Sequence, residues 1–394
     1  MNDLENTLKK TTNFSGTTNP RIFDLSIEEQ QEELLKIIKE YNPCITDQFE
    51  SQLEELFFYN NPAQAFSPER ESQLQAYFKK VKEIAPIWQQ GRWVFFPWLN
   101  QLSHLLPEED FIAVKTSRNQ LLITREEQRV YYNGIVGIAG LSVGSNIALA
   151  LTLTGGAKKM RIADADTLEL SNCNRILTGV HNLGLPKTTF LAQRIYELNP
   201  YAEIEIFSSG LQKENISQFL GEGGTKLDVI VDEVDDLSIK YLLREKARAS
   251  HTPIVMAADN ADQGVIDIER YDLEDVDSVF NRKVGTYSYE DLVNLDKIKI
   301  GELITSHVGH ENISHRMANS LAVIGKDVVS WPQLGSTALL NGGALAYAIR
   351  CILTKQALPS SRTLLSLENL LSKKEQTAKD REIVRDILSK IWQK

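Results

Sequence analysis

Apolar residues recur at helical spacing through the first ninety positions. Leu34, Ile37, Ile38 and Tyr41 follow Ser26, and Glu29 stands three residues after Ser26 as a capping partner. Residues 47–59 repeat the pattern with Leu53, Leu56 and Phe57. Ser67-Pro68 opens a third run, with proline in its first turn. The spacing predicts a loose polar leader over residues 1–25 and an N-terminal helical domain over 26–115. Trp88, Trp93, Phe95, Phe96 and Trp98 then crowd one stretch, which reads as a packed apolar joint to the next domain or as an aromatic wall for a substrate.

The pattern changes at residue 134. Residues 135–138 (IVGI) have the length of a buried strand. A glycine-rich turn follows, through Gly137, Gly140 and Gly144, and then an apolar run of helix length at 146–153, stopped by Gly155-Gly156. A second strand at 160–163 ends on Asp164. This is the order of a βαβ unit with an acid at the tip of its second strand. Further on, helix-like stretches (187–197, 239–249) alternate with strand-like ones (203–207, 228–231, 253–257, 265–270). The alternation predicts an α/β domain: a Rossmann-like, mostly parallel sheet with helices on both faces. Residues 272–277 form an acidic loop, 285–330 break into helix-like pieces, and 334–355 form an apolar helix with Gly342-Gly343 packed in its interior. The charged residues from 359 to 394 end the chain as a helical tail.

Composition narrows the function. The 394 residues carry a net charge of −10, so the global field does not favour a nucleic-acid backbone. Cys44, Cys173 and Cys351 lie far apart with no CxxC pair, which fits a reducing cytoplasm and gives neither a disulfide framework nor a structural zinc site. The first ten residues contain no apolar signal core. Residues 134–157 lack any charge, but their glycines and Asn146 make them a strand–turn–helix rather than a membrane span.

The glycine turn alone is weak, because Ala139 and Ser142 stand where a dinucleotide fingerprint prefers glycine. The ordered set that follows is more specific. It comprises Asp164-x-Asp166, Leu170-Ser-Asn172-Cys-Asn-Arg175, Gly184-Leu-Pro-Lys187, Glu197-Leu-Asn-Pro200 and Asp228-Val-Ile-Val-Asp232-Glu-Val-Asp235-Asp236. This set resembles the ThiF/MoeB/HesA superfamily, the adenylating fold of ubiquitin-activating enzymes, and the resemblance covers roughly residues 116–355. It implies an adenylation domain at 116–358, with a crossover region at about 270–330. It also implies ATP and Mg²⁺ as cofactors and a carboxylate substrate, which could be a peptide, a ubiquitin-like carrier protein or a small acid. A homodimer is the expected assembly.

Adenylation joins a carboxylate to the α-phosphate of ATP and expels pyrophosphate, so it needs cations and backbone donors around a triphosphate rather than a covalent nucleophile. By the resemblance, Arg175 and Lys187 bind phosphates and Asn172 lies on the phosphate side. Gly137, Gly140 and Gly144 shape the nucleotide turn, Asp164 binds the ribose, and Asp235 binds Mg²⁺ with Asp232 and Asp236 as competitors. Arg118 matches an arginine that reaches the phosphates from the partner subunit. Asp166 is read as a cap and left outside this set. Thioester-forming members carry a cysteine in or after the crossover segment, and here none lies between residues 179 and 350, so the acyl-adenylate is expected to meet its acceptor directly.

His307, His310 and His315 cluster near Glu311, and surface, proton-transfer and metal roles all stay open for them. The resemblance also extends to a bacterial branch sometimes joined to a nitroreductase-like domain, of which no sign is seen here. Other readings are an NAD(P)- or FAD-binding oxidoreductase, a tRNA threonylcarbamoyladenosine dehydratase-like enzyme, and a non-catalytic partner subunit.

Overall fold

The computed structural model describes residues 17–274, 279–282, 285, 287–372 and 377–392. They divide into two compact units, the first holding the residues up to 125 together with 192–201, the second holding 126–191 and the residues from 202 onward.

The first unit contains β1 (Arg21–Phe23), α1 (Glu28–Tyr41), β2 (Cys44–Asp47), α2 (Phe49–Asn60), α3 (Arg70–Ile84), β3 (Arg92–Phe96), β4 (Gln101–Leu105) and α4 (Glu108–Lys115). The helices fall where the apolar spacing places them. The four-stranded sheet, ordered β1-β3-β4-β2, corrects the expectation of a purely helical domain. Its first strand also lies inside the stretch read as a loose leader. These strands are three to five residues long, too short for period-two alternation to show, and β2 has no buried residue. The aromatic stretch supplies β3, whose Trp93 and Phe95 pack with Phe23, Leu34, Ile37 and Leu102 in this unit's own core. His104 is sandwiched between the Phe49 and Trp93 rings at centroid distances of 4.1 and 4.3 Å. Ser26 does not cap α1; its hydroxyl donates to Asp24 Oδ1 at 2.6 Å instead.

The second unit runs through α5 (Arg125–Asn133), β5 (Ile135–Ala139), α6 (Val143–Leu153), β6 (Lys159–Ala163), the first residues of α7 (Lys187–Leu198, which from residue 192 counts with the first unit), β7 (Glu203–Phe207), α8 (Ile216–Leu220), β8 (Val229–Asp232), α9 (Leu237–Ala249), β9 (Ile254–Asn260) and β10 (Gln263–Glu269). Then come α10 (Tyr289–Val293), α11 (Lys297–Val308), α12 (His315–Leu321), α13 (Gly335–Leu353), β11 (Ser361–Ser366) and α14 (Ala378–Trp392). Seven strands form one sheet in the order β11-β10-β9-β8-β5-β6-β7. The four pairings among β9, β8, β5, β6 and β7 are parallel, and β10 runs antiparallel to both β9 and β11. The mostly parallel sheet is therefore as the alternation predicts.

Helices cover both faces, and two neighbouring residues of β5 show it. A Cβ on Gly137 would meet Phe219 of α8 at 2.8 Å, while the Ile138 side chain reaches Gly144 of α6. Adjacent strand residues point to opposite faces, so α8 and α6 lie on opposite sides of the sheet. α13 closes against α6, where a Cβ on Gly342 would lie 3.0 Å from the Asn146 backbone. By length and composition α13 could cross a bilayer, but its Ala338, Leu345, Ile349 and Cys351 are buried inside the protein. It is a core helix.

The C-terminal end differs from expectation in one respect. Residues 361–366 fall within the expected helical tail, yet they add the sheet's antiparallel edge strand; SRTLLS is short and alternates poorly, so no strand signal rises from it. Arg362 anchors that strand, donating to Asp267 of β10 and, at 2.6 Å, to the His307 carbonyl. The last helix, α14, is the helical part of that tail, and it buries Val384 and Leu388 against Met317 and Ala318 of α12.

Candidate active site

The strand–turn–helix at β5–α6 builds one wall of a cavity. Gly140 adopts φ +86°, and a Cβ there would lie 2.1 Å from the Glu233 carbonyl, so only glycine lets the turn pass the end of β8. Ser142, at the start of α6, makes no side-chain cap; its hydroxyl accepts from Arg175 Nε at 2.7 Å. The first turn of α6 thus carries neither an acidic residue nor a capping side chain, and its dipole leaves it suited to an anion. Gly144 admits Ile138 beneath the helix, and Gly137 makes room for Phe219 on the opposite face; its role is sheet packing, not the turn.

The segment after β6 brings the cations. A 3-10 turn, Leu170–Asn174, is closed by a reciprocal capping box in which the Glu169 N–H donates to Asn172 Oδ1 at 3.0 Å. Arg175 follows. Its carbonyl accepts from Asn146 of α6 at 2.9 Å, and its guanidinium donates to Ser142 Oγ, Ser171 O and Asn174 Oδ1. Lys187 begins α7 and is buried, with Nζ 2.7 Å from Asp166 Oδ2 and 3.7 Å from Asp164 Oδ1.

At the tip of β8 the four acids separate by role. Asp232 is fully buried and paired with Arg244 and Lys240, and Arg244 also binds Glu269 at 2.7 Å. Burial alone would raise the Asp232 pKa, but the two cations hold it below the usual carboxylate range. Asp236 caps α9, accepting from the N–H groups of Ser238 and Ile239. The Glu233 carboxyl accepts from the Ala257 N–H at 2.8 Å, and burial pushes it well above its ordinary range. Asp235 alone stays exposed at the cavity.

The cavity, of about 280 Å³, gathers Ser142, Asp166, Asn172, Arg175, Lys187 and Asp235 from four separate stretches of the chain. A second set joins them from the ends of β8 and β9 and from the crossover: Glu233, Met256, Asp259, His307 and Trp331. Burial pushes the Asp259 carboxyl up to about 6, against the lowering influence of Asn341, Arg175 and Gln333. Among the expected residues, Asn172, Arg175, Lys187 and Asp235 come together here. Asp164 lies beneath the turn, where its oxygens accept from the N–H groups of Leu141 (2.7 Å) and Asp166 (2.8 Å), and Asp166, set aside from the sequence, is the acid that lines the cavity. Arg118 belongs to the first unit, exposed on the 3-10 turn Ser117–Asn119.

The residues present suit Mg²⁺. Asp235 is exposed at the cavity beside Arg175 and Lys187, and a single side-chain carboxylate of this kind can hold one edge of the ion. That matches an ion that keeps waters and takes its remaining oxygens from substrate phosphates. The histidine cluster does not act as a unit. His307 is buried at the cavity and His315 is exposed at the start of α12, while the His310 side chain lies outside the described residues.

Sequence reasoning missed Glu233, Asp166 and Asp259. Asp259 is the next-to-last residue of β9, and the C-terminal ends of strands in open α/β sheets are where sites form; that rule alone could have marked it.

Residues 117–279 match the ThiF family. An uncharacterized protein of Mycobacterium tuberculosis is 36% identical over 286 residues, 72% of this chain and 39% of that protein. The tRNA threonylcarbamoyladenosine dehydratase of Bacillus subtilis is 28% identical over 162 residues, 41% of this chain and 61% of that enzyme. The sulfur carrier protein adenylyltransferase of Thermus thermophilus is 28% identical over 125 residues, 32% of this chain and 44% of that enzyme. The chain thus spans less than two thirds of the length of each, from 39% to 61%.

Proposed function

We propose that this chain, a member of the ThiF superfamily through residues 117–279, is an ATP- and Mg²⁺-dependent adenylyltransferase that activates a carboxylate as its acyl-adenylate without an enzyme thioester. The observation that carries the reading is the convergence of Asn172, Arg175, Lys187 and Asp235 on one cavity at the uncapped N-terminus of α6. A nicotinamide or flavin site needs no such set of two cations and an exposed acid.

The chemistry follows from these groups. The Arg175 fork and the Lys187 ammonium hold phosphate oxygens and take up the charge that grows on the leaving pyrophosphate. Asp235 would hold Mg²⁺, which when bound neutralises and orients the phosphates. The substrate carboxylate oxygen forms a bond to the α-phosphorus as the bond from that phosphorus to the bridging oxygen of pyrophosphate breaks. Cys351 is buried in α13 and Cys173 sits in the 3-10 turn beside Asn172, so neither suits a carrier thiol. The carboxylate belongs to a peptide or protein C-terminus or to a small acid, and the reaction runs in the cytoplasm of the cell. The working assembly is a homodimer in which Arg118 serves the partner's site.

The test is calorimetry of ATP with Mg²⁺, against NAD(P)H and FAD, on wild type and on Asp235→Ala. The expected result is Mg²⁺-dependent ATP binding that the variant loses, followed by pyrophosphate release in a carboxylate screen. Binding of a nicotinamide or flavin alone would overturn the reading.

A further inference from the structure

Arg175 and Lys187 reach the cavity from the segment between β6 and α7, while the ends of β8 and β9 contribute Glu233 and Asp259. Lys240 of α9 lines this second part as well, and it is already paired with Asp232 at 3.1 Å. Asp259 has an unusual set of partners. Asn341 Nδ2 donates to its Oδ1 at 2.6 Å and Gln333 Nε2 to its Oδ2 at 3.3 Å; both are neutral amides, and no ion pair forms on it among the described residues. Arg175 acts on this carboxylate only at a distance, so it is fixed in orientation by neutral donors and incompletely compensated in charge, which leaves it complementary to an incoming cation.

His307 of α11 is buried at the same cavity. Its ring nitrogens face Arg362 and Asp267, with Nδ1 3.2 Å from Arg362 Nη2 and Nε2 3.8 Å from Asp267 Oδ2, so the imidazole brings no free charge to the wall. Met256, Ile304, Val308 and Trp331 make the surroundings apolar. A hydrated Mg²⁺ gains little from such walls, and the charge of Asp259 repels a second carboxylate. An organic ammonium on an apolar body satisfies both the charge and the walls.

We infer that this half of the cavity binds the acyl acceptor as a protonated primary amine on an apolar body, with Asp259 as its carboxylate partner, so that the enzyme's product is an amide. The inference rests on the adenylation reading above. The ammonium gives one proton to Asp259, and the freed nitrogen lone pair forms a C–N bond to the carbonyl carbon of the acyl-adenylate. The bond from that carbon to the phosphate oxygen breaks, and AMP leaves with its electron pair. The second nitrogen proton passes to solvent. Asp259 touches the acceptor in this scheme.

The test uses the full chain with Mg²⁺ and saturating AMP, titrated by calorimetry with phenethylamine and with its neutral isostere 2-phenylethanol. The amine is expected to bind at least about tenfold more tightly than the alcohol, as a desolvated charge pair should. Asp259→Asn should erase that preference, and Asp259→Glu should restore part of it. Equal binding of amine and alcohol to the wild type, no binding of either, or a preference that survives in Asp259→Asn would each overturn the inference. The wild-type comparison decides even if the variant does not fold. Failure of ATP and Mg²⁺ to bind at all is a separate outcome, and it overturns the adenylation reading itself.

Discussion

Lys187 Nζ sits 2.7 Å from Asp166 Oδ2 and 3.7 Å from Asp164 Oδ1, so one buried ammonium is shared by the two acids that follow β6. The partner carboxylates differ: the Asp166 side chain is 71% exposed and that of Asp164 only 8%. An exposed partner is worth about 0–1 kcal/mol, so a triphosphate can displace Asp166 at little cost. Lys187→Ala is therefore expected to weaken ATP binding at least about tenfold, while Asp166→Asn changes it by less than about threefold. Calorimetry on both variants checks the contrast, and a large loss in Asp166→Asn would show that the acid itself holds the nucleotide.

The acids at the end of β8 predict three different outcomes. Asp235→Ala should leave thermal stability within about 0.5 kcal/mol of wild type and abolish Mg²⁺-dependent turnover. Asp236→Ala should cost about 1 kcal/mol through the lost cap of α9 and keep ATP binding. Asp232→Asn should cost about 3–5 kcal/mol by leaving Arg244 partly unpaired in the interior. Denaturant melts beside pyrophosphate assays separate the three, and a stable, inactive Asp236→Ala would reverse the assignment.

Gly140→Ala combines a left-handed backbone at φ +86° with a Cβ 2.1 Å from the Glu233 carbonyl. The loss should exceed about 3 kcal/mol or prevent folding, well beyond the roughly 1 kcal/mol of conformational strain alone. A melting curve within a few degrees of wild type would mean that the turn can move away from β8.

Asp259 gives a pH prediction. Its proton is bound more tightly in the folded protein, up to about 6, than at its ordinary value of 3.8. It therefore favours the folded state at low pH and costs stability as pH rises from about 4 to about 6, by about 3 kcal/mol above that range. His307 works in the opposite sense, since its pKa is held well below the usual 6.5 by burial and by Arg362, Lys240 and Arg244. The difference between wild type and Asp259→Asn isolates the first group: that difference should change between pH 4 and 6 and stay flat from 6 to 8. A flat difference throughout would place the carboxylate in an ordinary environment.

The homodimer proposal makes its own prediction. Mixing Arg118→Ala with Arg175→Ala should restore about a quarter of wild-type activity if random mixing yields dimers with one intact composite site per mixed pair. No recovery would remove Arg118 from the site.

Much of this was legible in the chain because local signals and the fold agree. The glycine turn, Asp164 after β6, and the basic residues at Arg175 and Lys187 all lie within about fifty residues of β5, where periodicity and turn chemistry speak directly. What stayed hidden depends on distant partners. Asp259 is distinguished by Asn341, eighty-two residues away, and His307 by Arg362, fifty-five away. The strands β1 to β4 gave no signal because short segments take their faces from the neighbours they meet, not from their own alternation.

Asp235 and the cations that precede it lie inside the segment shared with the family, residues 117–279, whereas Ile304, His307, Trp331 and Gln333 lie beyond it. Asp259 lies inside that segment too, so on the proposed reading only wall residues of the acceptor side fall outside it. A lineage could keep the carboxylate-activating half untouched and acquire a new acceptor by rewriting a few crossover residues. Relatives with the same phosphate-side residues would then differ in product, and the crossover, more than the family segment, would be the place to look for the change.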